Sequence, residues 1–167
     1  EDEEVREAAG TALRNFPPSA ALSMLRGKVR DRLDDIDDEQ ELTTAMEAVG
    51  ALRDNLSIPQ LIGLLQHSDA KISAQAGQVL QLLTKQAFGR SRFRWNGWWR
   101  RHQFESRLSW LLSGLCHGSA LIRSSAQDEL TEMSGDVTGY RFDMPVRPRE
   151  QAAQRWSDWW EQRGFPT

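Results

Sequence analysis

A gapless internal repeat constrains this chain more than any other feature. Residues 67–89 (HSDAKISAQAGQVLQLLTKQAFG) align with residues 117–139 (HGSALIRSSAQDELTEMSGDVTG) at an offset of 50. His67 meets His117, Ile72 meets Ile122, Ala76 meets Ala126, Leu80 meets Leu130, Leu83 meets Met133 and Gly89 meets Gly139. The matched apolar positions recur at three- and four-residue spacing, which gathers them on one helix face; a strand would scatter them over two. A helix carrying one apolar stripe cannot bury it alone and needs neighbours to pack on.

The four-residue ladder recurs upstream as Val5, Ala9, Leu13 and as Thr44, Ala48, Leu52, so four central alanines stand at 9, 48, 76 and 126. Three residues before each ladder comes Asp2, Glu41, Asp69 or Ser119, the short polar or acidic type that satisfies a helix N-terminus. An alanine at the centre lets a neighbouring helix approach closely. Partner helices are expected near residues 19–32, 57–66 and 104–116, each with leucines at helical spacing, and Gly and Pro punctuate the chain between them. The expectation is an all-α fold, a row of about four antiparallel helix pairs with extra Trp-bearing helices, each pair burying its stripe on the next.

The segments VREAAGTAL, AMEAVGALRD, SIPQLIGLLQHSDAKISAQAGQVL and LIRSSAQDEL resemble HEAT repeats of the short bacterial type. LLTKQAFG followed by WNGWW is similar to the endings of many bacterial HEAT-repeat proteins, although Lys85 stands where glycine is common. The second copy, EMSGDVTG followed by WSDWW, lacks the phenylalanine. The resemblance implies an α-α superhelix, residues 1–167 forming one HEAT-repeat domain, used mainly as a binding scaffold.

Composition narrows the class. The 167 residues (19.1 kDa) suit one ordinary domain, and no apolar run approaches the ~18 residues of a membrane span. The expectation is a soluble, cytoplasmic protein without a membrane partner. The single thiol, Cys116, leaves no internal disulfide and no CxxC motif. Because the chain opens on Glu1 directly in a ladder helix, it is expected to be a processed form or a fragment of a longer chain.

Charge is unevenly placed within a net of -3. Residues 1–41 hold twelve acids against six bases, whereas 85–107 hold seven bases (Lys85, Arg90, Arg92, Arg94, Arg100, Arg101, Arg107) against Glu105 alone. The basic segment could grip phosphates or an acidic partner, or could be a solvated face whose arginine stems cover indoles. Six of seven tryptophans form two triplets, Trp95-Trp98-Trp99 and Trp156-Trp159-Trp160, each on one helix face. Their recurrence after equivalent ladders favours packing over a stacking platform.

Other constellations read as structural. The run 31–41 lacks the sixth-position glycine and twelfth-position carboxylate of an EF-hand: counted from Asp35 these are Gln40 and Met46. His67 and His117 share one repeat position, and Cys116 and His117, being adjacent on a helix, do not face each other. No metal, cofactor or catalytic set is expected. The stretch between Gly139 and Arg155 carries eleven residues more than its counterpart, with the only tyrosine, Tyr140. It is either a protruding contact loop or a cap folded back on the stack.

The expected function is therefore a non-enzymatic protein-interaction scaffold. Its expected surface comprises Arg90, Arg92, Arg94, Arg100, Arg101, Tyr140, Arg141, Phe142, Arg147 and Arg149, and its partner is an acidic protein segment. The alternative is a nucleic-acid-binding solenoid using the basic 85–107 segment, as in HEAT-like families that hold a duplex on a basic concave face.

Overall fold

The computed structural model describes residues 27, 29–31, 33, 36, 38–135 and 138–163. Among them the chain is all-helical, with no strand. Residues 27, 29–31 and 33 are helical, and among the described residues seven α-helices of defined extent follow: α1 (Glu39–Ala51), α2 (Ile58–Leu64), α3 (Ala70–Thr84), α4 (Arg92–His102), α5 (Arg107–Leu115), α6 (Ala120–Ser134) and α7 (Val146–Glu161). The chain divides into two compact units, one running to Leu83 and including Gly89–Asn96, the other made of Thr84–Phe88 and the residues from Gly97 onward. The ladder at Ala9 and most of the partner helix expected at 19–32 lie outside the described residues.

The offset of 50 survives in three dimensions. Helices α3 and α6 have equal length and matching ends. Before each, a histidine Nδ1 accepts a backbone amide two residues on: Asp69 to His67 at 3.1 Å, Ser119 to His117 at 3.0 Å. After each, the two copies turn through positive φ at equivalent positions, Lys85 (55°) with Gly135 (76°), and Gly89 (56°) with Gly139 (63°). Left-handed backbone is costly for any residue with a Cβ, so Lys85 occupies a position suited to glycine. At the start of α3 the Asp69 carboxylate accepts the Lys71 amide, which holds its pKa below the usual carboxylate value.

In the first unit, α1 and α3 approach at Gly50, where an added methyl would stand 3.3 Å from Leu82 Cδ2 and 3.7 Å from Val79 Cγ1. Gln75 Nε2 donates to the Thr43 carbonyl across the same pair. Asp38 caps α1 by accepting the Glu41 amide at 2.8 Å. Ala76 is fully buried, as the ladder required, but Ala48 is only half-buried. The buried stripe of α1 is Leu42, Met46 and Val49. Residues two apart on a helix point about 200° away from each other, so the buried stripe lies on the face opposite to Thr44 and Ala48 of the expected ladder. The Thr44–Ala45–Ala48 side instead lines, with Val29, Ile36 and Glu41, a cavity of about 220 Å³.

In the second unit α5 packs on α6 and α7. Leu108, Leu111, Leu115, Ala126, Leu130, Tyr140, Ala152, Ala153, Trp156 and Trp160 form its core. The close approach is at Gly114: a Cβ there would lie 2.8 Å from Lys85 Cβ and 3.0 Å from Ala126 Cβ. Beside it sits a buried ion cluster. Arg107 grips Glu129 with both nitrogens at 2.7 and 2.8 Å, and Lys85 Nζ, whose side chain is 1% exposed, reaches Glu129 Oε2 at 3.0 Å and donates to Ser125 Oγ at 2.9 Å. Glu129 is the repeat counterpart of Val79, so a buried carboxylate has replaced a buried valine.

Two stability measurements check this packing. Gly114→Ala should destabilise by ~1–3 kcal/mol through overpacking, more than the ~1 kcal/mol that alanine gains over glycine in a helix. Gly97→Ala, where nothing lies within 4 Å of the new methyl, should stabilise instead. In urea unfolding, Glu129→Ala should cost ~3–5 kcal/mol because it strands the buried Lys85 ammonium. Combining Glu129→Val with Lys85→Gly should recover most of that loss; equal losses in the single and double variants would show that the ion cluster is not what Glu129 supplies.

Candidate functional site

The Trp stripe of α4 positions the arginine-rich segment. Trp95 is fully buried and its Nε1 donates to the Gly89 carbonyl at 2.8 Å, which ties the helix to the turn before it. Trp98 is buried also. With Trp95 turned inward, Arg90, Arg92 and Arg94 are all exposed. Arg92 Nη1 donates to Gln66 Oε1 at 2.7 Å. Phe93 stands between these arginines at 88% exposure, a large apolar side chain with almost no cover. Sequence reasoning passed over Phe93, although residue 93 is two positions before Trp95 and must therefore face away from the indole stripe.

The other tryptophans are packing elements. In the second unit Trp98 stacks on His102 at 5.0 Å and meets Trp110 edge-on at 5.2 Å, while Trp156, Trp159 and Trp160 pack edge-to-face at 5.0 to 6.3 Å. Arg163 lies over the Trp159 ring at 3.7 Å. Arg100 and Arg101 are exposed in the last turn of α4, where cations also complement the helix dipole.

The charge of the basic segment needs correction. Of its seven bases, Lys85 and Arg107 are spent on Glu129, leaving five exposed arginines.

The inserted stretch needs correction as well. Tyr140, expected as a surface anchor, is 1% exposed, and its hydroxyl donates to the Leu115 carbonyl at 2.6 Å. Burial pushes its phenol pKa up to about 12. Arg149 is buried too and donates to the Met144 carbonyl. Arg123 clamps the stretch by donating to the carbonyls of Phe142, His117 and Gly118 at 2.7 to 2.8 Å, and the Phe142 amide returns a bond to Gln127. Arg155 donates to the Thr138 carbonyl. The stretch therefore folds back onto its own unit. Of its expected contact residues, Arg147 and Arg141 are exposed and Phe142 is 38% exposed, with Arg141 held bidentate by Asp143 at 3.1 and 2.7 Å. That pairing raises the Arg141 pKa and lowers that of Asp143. Sequence alone could not choose between the two readings, because Arg123, the residue that decides it, stands where the first copy has Ser73.

Burial pushes the Cys116 thiol pKa up, away from the reactive thiolate, and lowers that of His117, whose Nδ1 is committed to the Ser119 amide. Among the described residues no three His, Cys, Asp or Glu side chains gather to hold a metal ion, and no helix is long and apolar enough to cross a membrane. Comparison with protein-family models, curated proteins and solved structures returns no match.

Tyr140 is the sole tyrosine, so its ionisation can be followed directly by ultraviolet absorbance. The midpoint should lie near pH 12 in the folded protein against about 10 in urea. Because the folded-state value is raised, the stability Tyr140 contributes is complete below pH ~10 and is lost as pH climbs towards 12. Tyr140→Phe should remove that high-pH slope and cost ~1–3 kcal/mol at neutral pH by orphaning the Leu115 carbonyl.

Proposed function

We propose that this chain is a HEAT-like helical scaffold that binds an acidic protein segment through the face bearing Arg90, Arg92, Phe93 and Arg94. The observation that carries the reading is the 88% exposure of Phe93 between exposed arginines, beside the buried Trp95. An aromatic ring left in water has an unfavourable hydration cost, and arginine with aromatic is the pairing over-represented where proteins meet partners. Residues 86–104 hold five arginines and no acid, so the local field favours carboxylates. The internal repeat, with its matched histidine and glycine turns, supports the scaffold reading, since each feature serves stacking. Phosphate would be drawn by the same arginines, which makes nucleic acid the competing ligand.

The test titrates a fluorescent glutamate-rich peptide and a short DNA duplex against the wild type and the triple variant Arg90→Glu, Arg92→Glu, Arg94→Glu. Peptide affinity should fall at least ~10-fold in the variant and weaken with salt, while the unfolding free energy stays within ~0.5 kcal/mol. Phe93→Ala should weaken peptide binding without changing its salt dependence. A wild type that prefers the duplex, with a steep salt slope, would assign the face to nucleic acid instead.

A further inference from the structure

The acidic partner need not be foreign. We propose that the arginine face of one copy binds residues 31–41 of a second copy, so that the chain associates head to tail through charge; this rests on the acidic-segment reading above.

Residues 31–41 (DRLDDIDDEQE) carry seven acids and one base, a net of -6 within eleven residues. The described acids of this run, Asp31, Asp38, Glu39 and Glu41, are all exposed. Part of the run has a local duty: Asp38 caps α1, and Glu39 and Glu41 sit in its first turn, where negative charge complements the helix dipole. That duty needs two or three carboxylates, and the sequence supplies seven. Crowded like charges raise the free energy of a folded chain through mutual repulsion, and a complementary surface relieves it.

The arginine face is complementary. It lies in a stretch with no acid, it presents Arg90, Arg92 and Arg94 within five residues, and Phe93 adds apolar contact. Both segments belong to the first unit of every copy. Yet among the described residues Arg90 and Arg92 on one side, and Asp31, Asp38 and Glu39 on the other, make no ion pair, whereas Arg30 of the same unit pairs with Asp54 at 3.3 Å. Charges of opposite sign that leave each other unsatisfied within one molecule are available to the next. Because the two surfaces differ, the contact is heterologous and generates a ring or an open chain of copies.

Sedimentation equilibrium of the full chain tests this at salt concentrations of about 50, 150 and 500 mM, which span the range over which exposed charges are progressively screened. The expected result is a mass above the 19.1 kDa of one chain that grows with protein concentration at low salt and returns to one chain at high salt. Neither the variant Arg90→Glu, Arg92→Glu, Arg94→Glu nor the variant Asp31→Lys, Glu39→Lys, both of whose acids are exposed, should self-associate. An equimolar mixture of the two variants should associate, because each keeps the surface the other has lost. A wild type that remains one chain at every salt concentration overturns the proposal, as does association that persists in either variant alone. The two readings separate cleanly: a monomeric chain that still binds the glutamate-rich peptide through its arginines loses the second-copy inference and keeps the scaffold function. A chain that binds neither peptide nor itself loses both. Circular dichroism of each variant verifies that the helices are intact.

Discussion

Glu129 is the interaction on which the second unit depends. A carboxylate at 4% exposure cannot stay charged without partners, and isolated burial of a charge costs far more than a domain's net stability. Its partners come from two separate stretches, Lys85 from the turn after α3 and Arg107 from the first residue of α5, and Lys85 is held in turn by the Ser125 hydroxyl of α6. Satisfying one carboxylate therefore fixes the entry of α5, the turn at Lys85 and the rotation of α6 together. Gly114 completes the arrangement, since the absence of a side chain is what lets α5 press on Lys85 and Ala126. Such a cluster adds little net stability over an apolar replacement, and its geometric demand is its main consequence.

The two repeat copies diverge where that demand acts. In the first copy, Val79 fills the position of Glu129, and the Trp95 indole donates to the Gly89 carbonyl. In the second, the insertion after Gly139 intervenes, Trp156 Nε1 has no hydrogen-bond partner among the described residues, and the Arg155 guanidinium takes the Thr138 carbonyl. The histidine caps and the positive-φ turns are common to both copies because they belong to the local chain geometry. The polar core of the second unit is not, because it answers to partners distant in sequence.

The functional reading follows from the same separation. With Lys85 and Arg107 engaged by Glu129 and Arg149 buried in the second unit, the exposed basic side chains of the 85–107 segment are Arg90, Arg92, Arg94, Arg100 and Arg101. In the function proposed above, Phe93 is the residue that would turn a charged face into a contact surface, since charge steers association while a desolvated ring supplies affinity.

By itself the sequence determined the helical class, the copy-to-copy register at an offset of 50, the start of α3 at Asp69, and the burial of Ala76, Ala126 and the Trp stripes; at α1 the cap is Asp38, three residues before the expected Glu41, which lies in the first turn. These are local or periodic properties: helical spacing, capping chemistry and repetition are written in neighbouring residues. Tertiary structure decided the rest. It put Met46 rather than Ala48 in the buried stripe, because Leu42, Met46 and Val49 form the more apolar face of α1, whereas the ladder follows the alignment of Ala48 with the other alanines. It buried Tyr140 and Arg149, because Arg123 holds the inserted stretch through carbonyls that no side-chain pattern records. It turned Lys85 from a surface base into a core cation, because the carboxylate that draws it inward lies 44 residues away along the chain, and nothing local to Lys85 announces it.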